Sequence, residues 1–160
     1  MAHIFRFSLA VILEMAFIVS TPPGAFAEGK WTGAAAAPSG WTSSVPLIAK
    51  ADIDAGKSKA NECSACHSFN KGEPDKIGPN LYNVVNSSFG YDKNFSYSDA
   101  LKTMGSKRWT YDALDNFLFS PADFAPGTKM PYAGIKDAQD RANVIAYLRT
   151  LSDKPAPLPK

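Results

Sequence analysis

Cys63-Ser64-Ala65-Cys66-His67, the CSACH of residues 63–67, holds both cysteines of the chain and one of its two histidines. Two thiols three positions apart with an imidazole directly behind them admit four kinds of chemistry. A thioredoxin-like pair wants a C-x-x-C beside a βαβ pattern, and no stretch here alternates as strands do. A structural zinc site needs four N or S ligands; beyond the first few residues only Cys63, Cys66 and His67 are on offer. A disulfide between the two cysteines closes a tiny loop and constrains little of the unfolded chain. The fourth reading is covalent haem attachment, for which C-x-x-C-H is the signal. Two thiols about one turn apart each reach a haem vinyl group to form a thioether, and the next residue is held under the iron as a ligand. Only this reading uses every member of the motif.

The rest of the chain bounds the setting. Its 160 residues leave room for one domain with a tail, and 45% hydrophobic with 20% charged residues is an ordinary globular composition. A formal net charge of +2 is too small to point to nucleic acid. The N-terminus reads as a secretory signal over residues 1–27: Arg6, an apolar run interrupted by Glu14, then small residues at Ala25 and Ala27. That run is shorter than the ~20 apolar residues of a membrane span, so cleavage after Ala27 is expected, with a retained anchor as the alternative. An exported chain works in the periplasm, where an unmodified cysteine pair is oxidised.

Residues 28–50 mix Gly, Ala, Pro and Ser without a sustained period and read as a linker or loosely draped arm carrying Trp31 and Trp41. The domain is expected over 51–153, with a tail at 154–160. Its helices follow from capping residues and apolar spacing: one opening at Asp52, one capped by Ser98 and stopped by Gly105, one starting at Thr110 and ending before Pro121, and one capped by Asp137. The last carries Val144, Ile145, Leu148 and Leu151 as an apolar stripe. The fold class is therefore all-α, with long loops at 68–94 and 120–135 of the kind that tend to carry function.

A haem held by one histidine leaves its other face open or closes it with a second ligand, and the domain has no second histidine. Met104 and Met130 are the candidates. Met104 ends a helix, where packing is the ordinary role. Met130 lies in a loop shaped by Pro126, Gly127, Pro131 and Gly134, which presents a thioether with little further loss of chain freedom. The alternative is a methionine that only fills space.

Taken in order, CSACH, GPNL at 78–81, FSYSDAL at 95–101, Trp109, PGTKMPYAGI at 126–135 and DRANVIAYLRTL at 140–151 resemble a class I cytochrome c. The likeness is to the mitochondrial type and its soluble or membrane-tethered alphaproteobacterial relatives, and it runs from about Asp52 to Ser152. It implies a single-domain class I cytochrome c fold, with short helices and long loops wrapped around one covalently bound haem c. It implies thioethers at Cys63 and Cys66, axial ligation by His67 and Met130, and a Pro79 carbonyl that fixes the imidazole. Tyr97, Trp109 and Thr128 match residues on the propionate side, and Tyr132 a ring near the exposed haem edge. Tyr97 and Trp109 also read as large core residues with a polar handle.

Three positions depart from the family's pattern. Ser87 stands where an arginine often neutralises a propionate, Phe117 where a tyrosine often reaches the methionine sulfur, and Ala60 where the first helix usually has an aromatic. The function expected is a periplasmic electron carrier, not an enzyme, its haem buried among Leu81, Trp109, Phe117 and Leu118. The resemblance implies a bc-type complex as donor and a terminal oxidase or reaction centre as acceptor. Lys71, Lys76, Lys129 and Lys136 flank the loops expected at the haem edge and would steer an acidic partner surface, against the opposing charges of Glu62, Glu73 and Asp75. A haem peroxidase or gas-binding protein is the rival reading should Met130 be labile.

Overall fold

Four side chains at the predicted starts accept backbone protons and open four helices. The Asp52 carboxylate takes the N–H groups of Asp54 and Ala55 and opens α1 (Ile53–Lys59). Ser98 caps α2 (Asp99–Thr103), Thr110 caps α3 (Tyr111–Phe119), and Asp137 caps α5 (Ala138–Thr150). Each cap satisfies donors that the first helical turn leaves without partners. This computed structural model describes residues 29–160; the leader expected at 1–27 lies outside them. Among the described residues no strand forms, and the only β pairing is an isolated bridge between Ser88 and Arg108.

Two local differences from the sequence reading have simple causes. The helix opening at Asp52 does not run unbroken into the cysteines: it ends at Lys59 and tightens into a 3₁₀ segment, Ala60–Ala65. The stretch after Ser120, read as loop, contains one more short helix, α4 (Pro121–Phe124). Proline suits a first helical position because its missing N–H would have had no partner there. Pro121 thus ends α3 and starts α4.

α5 packs across α1 and against a 3₁₀ turn at Val45–Lys50, while α3 packs on α4 and α5. The core between them is aromatic. Trp109 lies 4.1 Å from the Phe89 ring, 4.9 Å from Phe117 and 6.0 Å from Phe124, centroid to centroid. Ala60, small where an aromatic was expected, is buried at the end of α1, and Phe69 supplies a ring against Tyr147 of α5 at 6.0 Å.

The segment before Val45 is not loosely draped. Trp31 and Trp41 meet edge to face at 5.6 Å, and Trp31 also packs on Phe124. Thr32 donates twice to the Asn116 side chain, at 2.6 and 3.1 Å. Deeper in, Arg141 and Asp115 form an ion pair at 2.7 Å with both side chains fully buried. Ser44 and the Trp41 indole donate to the same carboxylate, and Arg141 donates to the Thr42 carbonyl. Buried charge is tolerated only when its remaining hydrogen-bonding capacity is met. The arm supplies those partners, which fixes its path.

Candidate functional site

The 3₁₀ segment Ala60–Ala65 turns so that the N–H groups of Cys66 and His67 both bond the Cys63 carbonyl, at 3.0 and 2.9 Å. Both cysteines are free thiols, half-buried, and they line one wall of a cavity of about 240 Å³. Burial, and then the charge of Glu62, pushes the Cys63 thiol upward.

His67 follows at the same wall. Its Nδ1–H donates to the Pro79 carbonyl at 2.6 Å, and the loop carrying Pro79 is itself pinned by Gly78 N–H to Cys66 O and Leu81 N–H to Ser68 O. Gly78 makes the approach possible: a Cβ there would lie 2.3 Å from His67 Cε1. Burial holds the His67 pKa below the ordinary histidine value, only partly offset by the bond to Pro79. The ring is therefore neutral at neutral pH, its proton on Nδ1 and its lone pair on Nε2.

Further wall comes from the 126–135 loop and α3. Met130, Thr128, Lys129, Pro131 and Tyr132 line it, with Leu114, Phe117 and Leu118. The Thr128 hydroxyl accepts the Met130 N–H at 3.3 Å. Gly134 lies at φ +91°, where a Cβ would be 2.0 Å from the Phe119 carbonyl, so only glycine lets the loop press onto α3. Met104 is half-buried against the hydrophobic core and takes no part in the cavity wall.

Tyr97 and Trp109 also face this cavity. Both are buried, and among the described residues no protein acceptor takes the Trp109 indole N–H or the Tyr97 phenolic proton. Burial raises the Tyr97 pKa to about 12, so the phenol remains a donor. Leu81 lines the cavity too, whereas Ser87 turns away and donates to the Val84 carbonyl. Phe117 brings no hydroxyl.

These features fit a haem. The wall is apolar, as a porphyrin's faces require. Two thiols, an imidazole nitrogen without a protein partner and a thioether all line it. The Tyr97 phenol, which accepts the Asp92 N–H at 3.4 Å, and the Trp109 indole line the same space.

The sequence reading missed one wall residue, Tyr91, and the hydrogen bond made by Tyr132. Tyr91 lines the cavity and donates to the Asn80 carbonyl, next to Pro79; burial raises its pKa and keeps that donor protonated. Tyr132 reaches across the cavity mouth to donate to Glu62 at 2.9 Å, and Glu62 pairs with Lys59 at 2.7 Å. Neither contact leaves a periodic signal; an aromatic residue directly after the loop's proline was the only hint.

The four lysines do not form one ring. Lys129 lines the cavity, and Lys76 donates to the Ser64 carbonyl at 2.8 Å, inside the CSACH turn. Lys71 instead pairs with Asp153, and Lys136 donates to the Phe119 carbonyl at 2.6 Å with its ammonium over the Phe119 ring. The neighbouring carboxylates are also engaged: Glu73 accepts from Phe69 and Asn70, and Asp75 from Asn80.

Short helices closed around an apolar cavity, with a thiol pair and an imidazole on its wall, define a protein that holds haem covalently. Residues 53–152 match the cytochrome c family, and the chain belongs to it. A cytochrome c homolog from Bradyrhizobium diazoefficiens is 46% identical over 133 residues, 82% of this chain and 71% of that relative. A cytochrome c2 from Agrobacterium tumefaciens is 38% identical over 108 residues, 66% of this chain and 97% of its own length. Among solved structures, cytochrome cH from Methylobacterium extorquens superposes with a TM-score of 0.57 at 39% identity, covering 62% of this chain and 98% of that one. The chain spans 60% of the homolog from Rickettsia bellii. Proteins of this family carry covalently attached haem c and transfer electrons; they are not enzymes.

Proposed function

We propose that the chain is a periplasmic mono-haem carrier shuttling single electrons between respiratory or photosynthetic complexes. Cys63 and Cys66 form the thioethers, His67 and Met130 are the axial ligands, and Tyr97, Trp109 and Thr128 serve the propionates. The observation that carries this reading is His67: its one proton is spent on Pro79 O, and its neutral ring lines the same cavity as Met130. When bound, haem c supplies a one-electron iron couple whose potential a thioether ligand raises. The protein's part is to keep two ligands fixed and water out, so that little needs to move between oxidation states.

Export follows from the leader pattern at 1–27. Among the described residues no helix is long and apolar enough to cross a membrane. Expressed with its own leader and fractionated, the protein should show an intact mass for a chain beginning at or near Glu28, plus one haem. A membrane-bound product that still includes Met1 would favour the anchored alternative.

The partners read from the resemblance are a bc-type complex as donor and a terminal oxidase or reaction centre as acceptor, each met through an acidic docking surface. Lys76 and Lys129 beside the cavity are the cations that support this. Exposed charges act over a Debye length of roughly 8 Å at physiological salt, so their effect is on encounter. Oxidation of the reduced protein by oxidase-bearing membranes should slow steeply as salt rises. Lys76→Glu with Lys129→Glu should cut the low-salt rate by about tenfold and the high-salt rate far less. A rate indifferent to both salt and charge reversal would overturn the docking mode.

A further inference from the structure

We propose that the arm Lys30–Ser44 is a positioning element for the methionine-bearing loop, acting through the buried Asp115–Arg141 pair and through Phe124. The inference rests on the reading that Met130 is the iron's second axial ligand. The arm lies outside the stretch that matches the family, residues 53–152, although the match to the Bradyrhizobium homolog, 82% of the chain, extends across it.

Its contacts follow one face of α3. Lys30 N–H reaches the Asp112 carboxylate at 3.0 Å, the Trp41 indole reaches Asp115 at 3.2 Å, and Thr32 reaches Asn116. Residues 112, 115 and 116 share a helical face; Leu114, Phe117 and Leu118 of the same helix line the cavity. The arm therefore backs the wall against which haem would lie.

The same arm holds both ends of the 126–135 loop. At the entrance, Ala34 N–H bonds the Phe124 carbonyl at 2.9 Å, and Trp31 packs edge-on to the Phe124 ring. At the exit, Arg141 donates to the carbonyls of Ile135 and Lys136 at 3.0 and 2.9 Å while also donating to Thr42 of the arm. Within the loop lie the bonds Thr128 N–H to Ala125 O and Met130 N–H to the Thr128 hydroxyl; Tyr132 to Glu62 and Ile135 N–H to Leu118 O, at 2.7 Å, hold it independently of the arm. Fixing both ends of the segment further reduces the freedom it must lose to present a ligand.

The ion pair links arm to loop. Without the arm, Asp115 loses the Trp41 and Ser44 donors and Arg141 loses the Thr42 acceptor. A fully buried pair stripped of such partners is poorly solvated. Arg141 would then reorient, and it is Arg141 that holds Ile135 and Lys136.

The test uses the full-length haem-loaded protein with Trp31→Leu, Trp41→Phe and Ser44→Ala combined, leaving Asp115 and Arg141 in place. Ferric-state imidazole binding should tighten by about tenfold, the equivalent of ~1.4 kcal/mol in loop opening. Amide exchange across residues 126–136 should quicken. Phe69→Leu, at the Phe69–Tyr147 contact away from the arm, is the control; it should lower the melting temperature without changing imidazole affinity. An arm variant that melts earlier yet keeps wild-type imidazole affinity and wild-type exchange at 126–136 would reduce the arm to general packing and overturn the proposal. If wild type lacks a methionine–ferric charge-transfer band, the ligand reading has failed, and exchange at 126–136 alone then decides whether the arm holds the loop.

Discussion

Met130→Ala lowers the reduction potential by more than about 100 mV and opens the ferric protein to cyanide; this is the expected result if its sulfur is the second axial ligand. For a one-electron couple each ~59 mV is a tenfold change in the ferric-to-ferrous balance, so the shift corresponds to about fiftyfold or more. The direction follows from the thioether, a soft ligand that favours the ferrous state. The variant keeps Cys63, Cys66 and the His67–Pro79 bond, so haem attachment and the histidine side stay intact. Phe117 offers no hydroxyl to replace the lost ligand. Peroxidase activity should appear, because alanine leaves that position without its thioether. Met104→Ala is the control, since Met104 packs on the core outside the cavity wall. Voltammetry of the two variants beside wild type decides it: equal potentials in wild type and Met130→Ala mean the wrong ligand has been assigned.

What could be read from the sequence was local. Asp52, Ser98, Thr110 and Asp137 each cap the helix expected of them, because a cap needs only the next two or three residues to work. CSACH was readable for the same reason: its chemistry is complete within five positions. Met130 lines the cavity from the Pro- and Gly-shaped loop that the sequence marks out.

The arm was not legible, because its order depends on partners at 112, 115, 116, 124 and 141, far away in sequence. One signal was available. Arg141 precedes Val144, Ile145 and Leu148 at helical spacing, which places a guanidinium on the apolar stripe of α5; Asp115 likewise sits between Leu114 and Leu118. Two opposite charges on inward faces of two helices point to a buried pair, and a buried pair needs further partners. Trp41, Thr42 and Ser44 are those partners. The individual bonds of the lysines were illegible for the opposite reason. Lys71 and Lys136 are near the loops in sequence, but long flexible side chains choose among many acceptors, and here they found Asp153 and the Phe119 carbonyl.

Replacing both Cys63 and Cys66 with serine should leave little folded protein, for a reason that goes beyond losing the haem's covalent anchor. The cavity is walled by Trp109, Leu114, Phe117 and Leu118 of the core. Without haem these apolar side chains face water, at a cost of roughly 25 cal/mol per Å² of apolar surface. Collapse is resisted on both sides: Pro79 and Gly78 brace His67, and Gly134 presses the methionine loop on Phe119. Haem is therefore part of the core, and the thioethers keep it there when the fold opens briefly. The double variant should lose haem staining on a denaturing gel and show no cooperative thermal transition by near-ultraviolet circular dichroism. Each single serine variant should keep stained haem through its remaining thioether and melt below wild type. Wild-type haem that runs with the dye front would refute covalent attachment; a double variant with wild-type dichroism and melting would show that the cavity closes without its ligand.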